Sequence, residues 1–193
     1  MSEGFHLSAS PFEMVGFITG ILCIWYNTKA HIYGWPLAII SVSAYFIVFY
    51  ESKLYADMGL QIVYVILNIY GWWNWRKDTD HKKIKPRNFP NNTYWIGIGM
   101  IVIGLTLPIG IFLVNFTDSE VPFMDAFTTS LSFVAQILMG LKFTQNWIIW
   151  ICADIIYVGL YTSKGLYLTA VLYFIFTGLA IYGLWSWKKL TLT

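Results

Sequence analysis

The feature that most constrains the fold is a Trp-rich heptapeptide that occurs twice. Residues 69–75 read IYGWWNW and residues 181–187 read IYGLWSW, and two basic residues follow each copy. The copies start 112 positions apart, and each one closes a long apolar run. The repeat therefore predicts two homologous halves that are separated by a segment belonging to neither.

The shortage of charge predicts that both halves lie in a membrane. The chain is 58% hydrophobic and only 11% charged, whereas about 25% of the residues of a soluble domain are charged. A surface this poor in charge is suited to lipid. With 193 residues, we expect a single membrane domain over residues 1–193 and no separate soluble catalytic domain.

Apolar stretches of about 17–25 residues are candidate spanning helices. The fold class predicted from them is an all-α integral membrane protein with seven transmembrane helices. The predicted spans are 12–28, 33–50, 57–75, 94–115, 124–143, 146–162 and 167–187.

The placement of Lys and Arg predicts the orientation of these spans, because cytoplasmic loops carry an excess of both. The loop over residues 76–93 holds six of the 12 basic residues. Counting spans from a cytoplasmic position of this loop leaves only Lys53 and Lys164 outside. The N-terminus is then expected outside and the C-terminus in the cytoplasm.

Orientation gives the heptapeptide repeat a topological meaning. Spans 3 and 7 run in the same direction, so two parallel three-helix repeats need one linking span between them. The prediction is a 3+1+3 arrangement with repeats over residues 12–75 and 124–187, a linker helix over 94–115, and a pseudo-two-fold axis along the membrane normal. Residues 17–22 also resemble residues 133–138, which lie 116 positions later. That spacing predicts that the second span and its loops differ in length between the halves.

One carboxylate falls near the middle of a predicted span. Inserting a charged residue such as Asp154 at the centre of a spanning helix costs roughly 2.5–3.5 kcal/mol of free energy on insertion scales. Asn146, Trp150, Asp154 and Tyr157 recur at spacings of three and four and so share one face of span 6. Asp154 is a candidate counter-ion for a cationic solute, with the aromatic rings stacking on a flat ring of that solute. The alternative is a protonated or hydrogen-bonded Asp that holds helices together.

Amide side chains extend this set into spans 3 and 5. Span 3 carries Asp57, Gln61, Tyr64, Asn68 and Trp72 at spacings of three and four, and span 5 carries Thr129, Ser132 and Gln136 on one face. Such groups also act as interhelical hydrogen bonds worth about 0.6 kcal/mol, which would suit a receptor or scaffold that transports nothing. The predicted substrate site comprises Gln61, Asn68, Trp72, Gln136, Asn146, Trp150, Asp154 and Tyr157.

The ten tryptophans all fall towards the predicted cytoplasmic side. This distribution is typical of an interfacial aromatic belt, so we expect most of them, including those of the heptapeptides, to be membrane anchors. Trp72 and Trp150 are the exceptions, because each shares a face with buried polar residues.

No enzyme signature is present in the sequence. It contains no Gly-rich phosphate loop, no HExxH motif, and no paired nucleophile and base. We expect a protein that is not an enzyme and that needs no metal, no cofactor and no nucleic acid.

The chain resembles the Pnu family of bacterial vitamin transporters over nearly its whole length. The resemblance is carried by Asn68-Ile69-Tyr70-Gly71-Trp72, by Asn146-Trp147-Ile148-Ile149-Trp150 and by shorter stretches such as Leu54-Tyr55-Ala56, Pro122-Phe123 and Gly165-Leu166-Tyr167. It implies a SWEET-like 3+1+3 fold in the bacterial inner membrane and a homotrimer. It also implies facilitated diffusion, with the imported vitamin trapped through phosphorylation by a cytoplasmic vitamin kinase.

The same resemblance narrows the expected solute to a small cationic aromatic vitamin. Nicotinamide riboside, a vitamin B3 form and NAD precursor, is the expected substrate. The chain departs from some nicotinamide riboside transporters, which have Asn at the position of Asp154 and an apolar residue at that of Gln136. Thiamine, a cationic ring that also bears a hydroxyl, is the alternative substrate. A proton-coupled carrier that uses Asp154 is a further alternative.

Overall fold

The computed structural model describes residues 10–51, 55–77, 84–163 and 167–192, and these residues form seven α-helices. Each helix coincides with one predicted span to within a few residues, so the all-α prediction is confirmed. The helices are α1 (Pro11–Thr28), α2 (Gly34–Glu51), α3 (Tyr55–Arg76), α4 (Thr93–Phe116), α5 (Pro122–Gly140), α6 (Asn146–Ser163) and α7 (Tyr167–Leu192).

Local sequence accounts for where the first helix of each half begins and ends. Ser10 caps α1 by accepting a hydrogen bond from the Glu13 amide at 3.1 Å, and α1 and α5 each start on a proline, whose fixed φ suits the first helical position. Each helix is followed by a non-glycine residue in the left-handed region, Ala30 with φ 54° and Lys142 with φ 68°. The two helices therefore end in the same kind of turn.

Four helices among the described residues are long and apolar enough to cross a bilayer by length and composition alone. Those four are α2, α4, α5 and the Ala170–Leu192 part of α7. Helices α1, α3 and α6 fall outside this group, since each carries a carboxylate and at least one amide.

Six of the helices pack as a closed ring. Neighbours around it are α1, α2, α3, α5, α6 and α7, with α7 returning to α1. Helix α4 contacts only α5 among the described helices, and most of its apolar surface is exposed. The halves meet where α3 packs on α5 and where α7 packs on α1.

Four tryptophans form the core at one end of this ring. We call Trp35, Trp75, Trp147 and Trp187 the tryptophan core, and the end of the bundle that holds it the tryptophan end. All four are at most 2% exposed and they pack against one another. The prediction that the heptapeptide tryptophans are mainly membrane anchors is therefore wrong for Trp75 and Trp187. At a helix terminus, the sequence pattern of a buried indole resembles that of an interfacial one.

The outward-facing tryptophans fit the predicted belt. Trp73 and Trp185 are exposed, and a lysine ammonium lies over each ring, Lys77 at 3.2 Å and Lys189 at 3.5 Å from the ring centroid. Such pairs suit the boundary between apolar chains and polar headgroups.

Contacts at the tryptophan end recur at the spacing of the sequence repeat. The Trp75 indole Nε1 donates to the Met139 carbonyl at 3.0 Å, and the Trp187 Nε1 donates to the Asn27 carbonyl at 2.8 Å. Both donors and both acceptors are 112 positions apart. Each half therefore supplies the donor that binds a carbonyl at the end of the other half's first helix.

The predicted length difference in the second span is wrong. Helices α2 and α6 both contain 18 residues, and their first and last residues are 112 positions apart. The match over residues 17–22 was a coincidence of apolar composition.

Candidate functional site

Helices α3 and α5 bring two of the predicted amides together. The Gln136 Nε2 donates to the Asn68 Oδ1 at 2.8 Å, and Asn68 is only 2% exposed. Each amide has a second polar atom that this bond does not use. The pair therefore offers a donor and an acceptor next to each other in a largely apolar setting.

A hydroxyl layer lies one helical turn from the amide pair, away from the tryptophan end. The Tyr64 hydroxyl reaches Ser132, and the Tyr157 hydroxyl reaches Ser132 and Thr128. Tyr64 precedes Asn68 by four residues and Ser132 precedes Gln136 by four. Helices α3 and α5 therefore run in the same direction with matched layers of polar side chains.

Asp154 lies in the middle of α6 and is 5% exposed. Its carboxylate interacts electrostatically with Tyr157 and with Tyr173 of α7. Among the described residues, no basic side chain forms an ion pair with it. A buried carboxylate without a cation is unfavourable, so this position suits either a protonated carboxyl group or a positive charge supplied from outside the chain.

Three tyrosines pack together beside this carboxylate. The Tyr157 and Tyr173 ring centroids are 4.6 Å apart, and the Tyr161 and Tyr173 rings stack at 5.3 Å. Aromatic faces of this kind attract cations and stack on planar rings. Helix α7 therefore contributes to the site as well as α3, α5 and α6.

Trp150 and Asn146 lie on the tryptophan side of Asp154. Trp150 is half-buried against the tryptophan core, and its buried indole Nε1 has no hydrogen-bond partner among the described residues. Asn146 is fully buried and donates to the Phe143 carbonyl at 2.6 Å, while its Oδ1 has no partner in the described part of the chain. Seven buried side-chain atoms of the described residues lack a partner, and these two are candidates for contact with a solute because they share a helix face with Asp154.

The remaining two predicted residues lie farther along α3. Gln61 is half-buried, about two helical turns before Asn68. Trp72 packs against the tryptophan core and lines an open depression of about 350 Å³ with Trp73, Arg76 and neighbouring residues. That depression does not include Asp154. The structure thus pairs Asn68 with Gln136 across α3 and α5, and it places Asn146, Trp150, Asp154 and Tyr157 along one face of α6.

Sequence reasoning left several nearby residues out of the predicted site. Tyr64 and Ser132 each lie four residues from a predicted amide on the same helix, so helical spacing alone contained a signal for them. Tyr173 had no comparable signal, because α7 has no buried polar stripe and its place beside α6 follows from tertiary packing. Thr128 lies on α5 four residues before Ser132, so helical spacing contained a signal for it as well.

The groups at this site suit the binding of a solute. Among the described residues they comprise one carboxyl group, an amide pair, hydroxyls and aromatic rings, with no nucleophile hydrogen-bonded to a base. Within the part of the chain that the structure describes, no group of three His, Cys, Asp or Glu side chains is placed to hold a metal ion. A planar, cationic solute with hydroxyl or amide groups would satisfy each of these side chains.

Comparison with known proteins agrees with this chemistry. The chain is similar to the nicotinamide riboside transporter PnuC of Escherichia coli, at 29% identity over 92% of this chain and 85% of that protein. It is also similar to PnuC of Neisseria mucosa, at 30% identity over 91% of this chain and 71% of that protein. The riboflavin/roseoflavin transporter RibM of Streptomyces davaonensis is 24% identical over 91% of this chain and 83% of that protein.

A solved structure supports the same relationship. The crystal structure of the vitamin B3 transporter PnuC matches with a TM-score of 0.74 and 28% identity, covering 93% of this chain and 81% of that one. Together with the apolar helices, this makes the chain a multi-pass membrane protein. A family model described as nicotinamide mononucleotide transporter matches residues 10–189. The chain therefore belongs to the nicotinamide mononucleotide transporter family.

Proposed function

We propose that this protein takes up nicotinamide riboside by facilitated diffusion. The observation that carries the proposal is a buried carboxyl group, Asp154, that no cation of the described chain pairs with and that lies beside the tyrosines Tyr157 and Tyr173. The named functions of the PnuC relatives support the choice of solute.

The solute's chemistry suits the site group by group. Nicotinamide riboside has a positively charged pyridinium ring, a carboxamide and a ribose. In our proposal, Asp154 balances the ring charge, and Trp150 and Tyr157 stack on the ring. The Asn68 and Gln136 amides bind the carboxamide or the ribose hydroxyls, and the unpartnered Trp150 Nε1 supplies a further donor. The sequence contains no Gly-rich phosphate loop for ATP, so in our proposal the concentration gradient of the vitamin supplies the driving force.

The architecture proposed for transport is the SWEET-like 3+1+3 arrangement. The tryptophan-core hydrogen bonds and the α1 and α5 end turns, both repeated 112 positions apart, support it. We propose repeats over residues 12–75 and 124–187, all seven helices in the bilayer, the N-terminus outside and the tryptophan end towards the cytoplasm. We also propose that the membrane is a bacterial inner membrane.

Two partners complete the proposal. The exposed apolar surface of α4, which packs only on α5 among the described helices, suits burial between protomers of a homotrimer. A cytoplasmic kinase would phosphorylate the imported vitamin, because the added charge prevents its return through a site that accepts a cation.

Uptake into liposomes tests the function. Purified protein is reconstituted, and uptake of labelled nicotinamide riboside and labelled thiamine is measured with and without nicotinamide riboside kinase and ATP inside. We expect equilibration of nicotinamide riboside without the kinase and accumulation with it. Uptake of thiamine but not of nicotinamide riboside would show that thiamine is the substrate. Uptake of neither vitamin would contradict the proposed vitamin transport.

An imposed pH gradient separates facilitated diffusion from proton coupling. The proposal predicts the same initial uptake rate whichever side is acidic, provided the kinase is absent. Accumulation of the vitamin against its own gradient, driven by protons, would overturn facilitated diffusion and assign Asp154 a proton-carrying role.

A further inference from the structure

A short segment between α3 and α4 bridges the two halves at the tryptophan end. We call residues 84–87 the strap. The Ile84 amide donates to the Ala30 carbonyl at 3.0 Å, and the Arg87 amide donates to the Lys142 carbonyl at 2.9 Å. Ala30 and Lys142 are the two left-handed residues that follow α1 and α5, and they are 112 positions apart. The strap therefore binds the same point of both halves.

Arg87 makes the attachment to the second half. Its carbonyl accepts from the Thr144 amide at 2.9 Å, and its side-chain Nε donates to the Leu141 carbonyl at 3.1 Å. The guanidinium lies over the Phe143 ring at 4.3 Å from its centroid. A cation that binds a carbonyl at the end of α5 also interacts favourably with the negative end of the helix dipole.

Ile84 makes the attachment to the first half. Its side chain is 4% exposed and packs within the tryptophan core. The core itself contains two tryptophans from each half. The strap is thus anchored in the packing that closes the tryptophan end, and it fixes the separation between Ala30 and Lys142 while that end is closed.

We infer that Arg87 is a positioning residue that holds the tryptophan end closed by locking the strap across the two halves. This inference rests on the proposed function, since release of a solute at the tryptophan end requires the halves to separate there. Arg87 lies outside the candidate solute site and is itself exposed, so it acts through the two end turns and not by touching solute.

We call this action of Arg87 on the strap the lock. Hydrogen exchange on purified protein without solute tests the lock directly. The variants are Arg87→Ala and, as a matched control, Lys85→Ala, which removes the same charge from an exposed position on the same strap. In Arg87→Ala we expect exchange to rise at least about threefold in peptides covering both turns, residues 140–147 and residues 29–35. Arg87 does not touch the first-half turn, so a local structural role would raise exchange only over residues 140–147. That result, or equal changes in Lys85→Ala, would overturn the inference.

Uptake kinetics give a second, independent reading of the same variants. When the closed tryptophan end is less populated, the apparent affinity for solute from the opposite side falls in proportion. We expect Arg87→Ala to raise KM for nicotinamide riboside about threefold or more, with Vmax within about twofold of wild type. A lower Vmax at unchanged KM would indicate loss of folded protein and would contradict the lock.

Failure of this inference and failure of the proposed function are distinguishable. The exchange experiment contains no solute, so its result does not depend on transport. Absence of nicotinamide riboside uptake would contradict the transport proposal, and hydrogen exchange would still decide whether Arg87 holds the tryptophan end closed. Normal uptake by the wild-type protein, combined with unchanged hydrogen exchange in Arg87→Ala, would contradict the lock and leave the transport proposal intact.

Discussion

The two halves of the chain are alike at the tryptophan end and different in the middle of their helices. At the tryptophan end, both halves place a tryptophan of their second helix against a glycine of their third, Trp35 against Gly71 and Trp147 against Gly183. In mid-helix the correspondence is lost. The positions 112 residues before Trp150 and Asp154 are occupied by Ala38 and Val42.

One pair of tyrosines shows how the halves have diverged. Tyr45 and Tyr157 are 112 positions apart. The Tyr45 ring packs so closely on Gly16 that a methyl group there would come within 2.9 Å of it. The residue equivalent to Gly16 is Thr128, whose hydroxyl donates to carbonyls of its own helix and lies near the Tyr157 hydroxyl. The first half uses this position for close apolar packing, and the second half uses it for a polar network.

This comparison teaches that repetition and function are separate properties of the chain. The repeated contacts hold the ends of the helices, whereas the polar residues that suit a solute lie mainly on α5 and α6, with help from α3 and α7. We therefore expect one solute site displaced towards the second half, and no second site in the first. Variants at the repeated contacts test the likeness of the two halves at the tryptophan end, and variants of the polar side chains test their difference in mid-helix.

Added volume at the repeated glycines should have the largest effect. A methyl group on Gly71 would lie 2.2 Å from the Trp35 ring, and one on Gly183 would lie 2.6 Å from the Trp147 ring. Gly71→Ala and Gly183→Ala should each destabilise the fold by about 3 kcal/mol or more, at the upper end of overpacking costs. Thermal unfolding in detergent and the yield of monodisperse protein measure this.

Gly178→Ala is the control for both glycine variants, because a methyl group on Gly178 meets nothing within 4 Å. Its unfolding temperature should equal or exceed that of wild type. A severe loss in only one of the two repeated positions would break the likeness of the ends.

Loss of the amide pair should weaken solute binding next most strongly. Gln136→Leu removes the donor to Asn68 and, with it, an amide that we propose binds solute, and a hydrogen bond lost from a buried polar group costs about 1–3 kcal/mol. We expect the Kd for nicotinamide riboside to rise by about five- to 100-fold, measured by calorimetric titration. The equivalent residue of the first half is Ile24, and Ile24→Leu should change Kd by less than about twofold, since volume-conserving changes are well tolerated. Equal losses would place solute in both halves.

Removal of the indole hydrogen bonds that each half donates to the other should lower stability by a smaller amount. Trp75→Phe and Trp187→Phe each abolish one bond from Nε1 to a carbonyl of the other half. We expect each to lower the free energy of unfolding by about 1–2 kcal/mol, from the lost bond and the smaller ring. Chemical denaturation of the two variants side by side measures the cost. The likeness of the ends requires similar values, and a difference above about 2 kcal/mol would contradict it.

The exposed cation–π pairs should matter least. Lys77→Ala and Lys189→Ala remove the ammonium groups over Trp73 and Trp185, which are worth less than about 1 kcal/mol at exposed positions. We expect unchanged Kd for nicotinamide riboside and small, matching decreases in unfolding temperature. A large change in Kd for either variant would show that solute binds near the exposed rings.

Hydropathy was sufficient to predict the helices. Their ends agree with the predicted spans because each span is a continuous apolar run bounded by charged or turn residues. Hydropathy was insufficient for Trp75 and Trp187, since an indole near a helix end has the same sequence signature whether it meets lipid or another helix. Only the closing of the ring between α1 and α7 decides that Trp187 is buried.

The candidate site was predictable where side chains share a helix and unpredictable where they do not. Helical spacing linked Trp150, Asp154 and Tyr157 because they lie on one face of α6. It gave no means of pairing Asn68 with Gln136, which are on different helices. Tyr173 and the strap residue Arg87 depend on packing between distant parts of the chain, so neither stood out in the sequence.

The central claim is that Asp154 provides the counter-charge for a cationic solute and that the first half has no equivalent. A binding titration of nicotinamide riboside on wild type, Asp154→Asn and Val42→Ala tests it most directly. We predict that Asp154→Asn raises Kd at least about tenfold, as expected for loss of a charged partner, without lowering the unfolding temperature, because the buried charge is removed. Val42→Ala should leave Kd within about twofold of wild type. An unchanged Kd in Asp154→Asn, accompanied by a lower unfolding temperature, would show that the carboxylate holds helices together and does not bind solute.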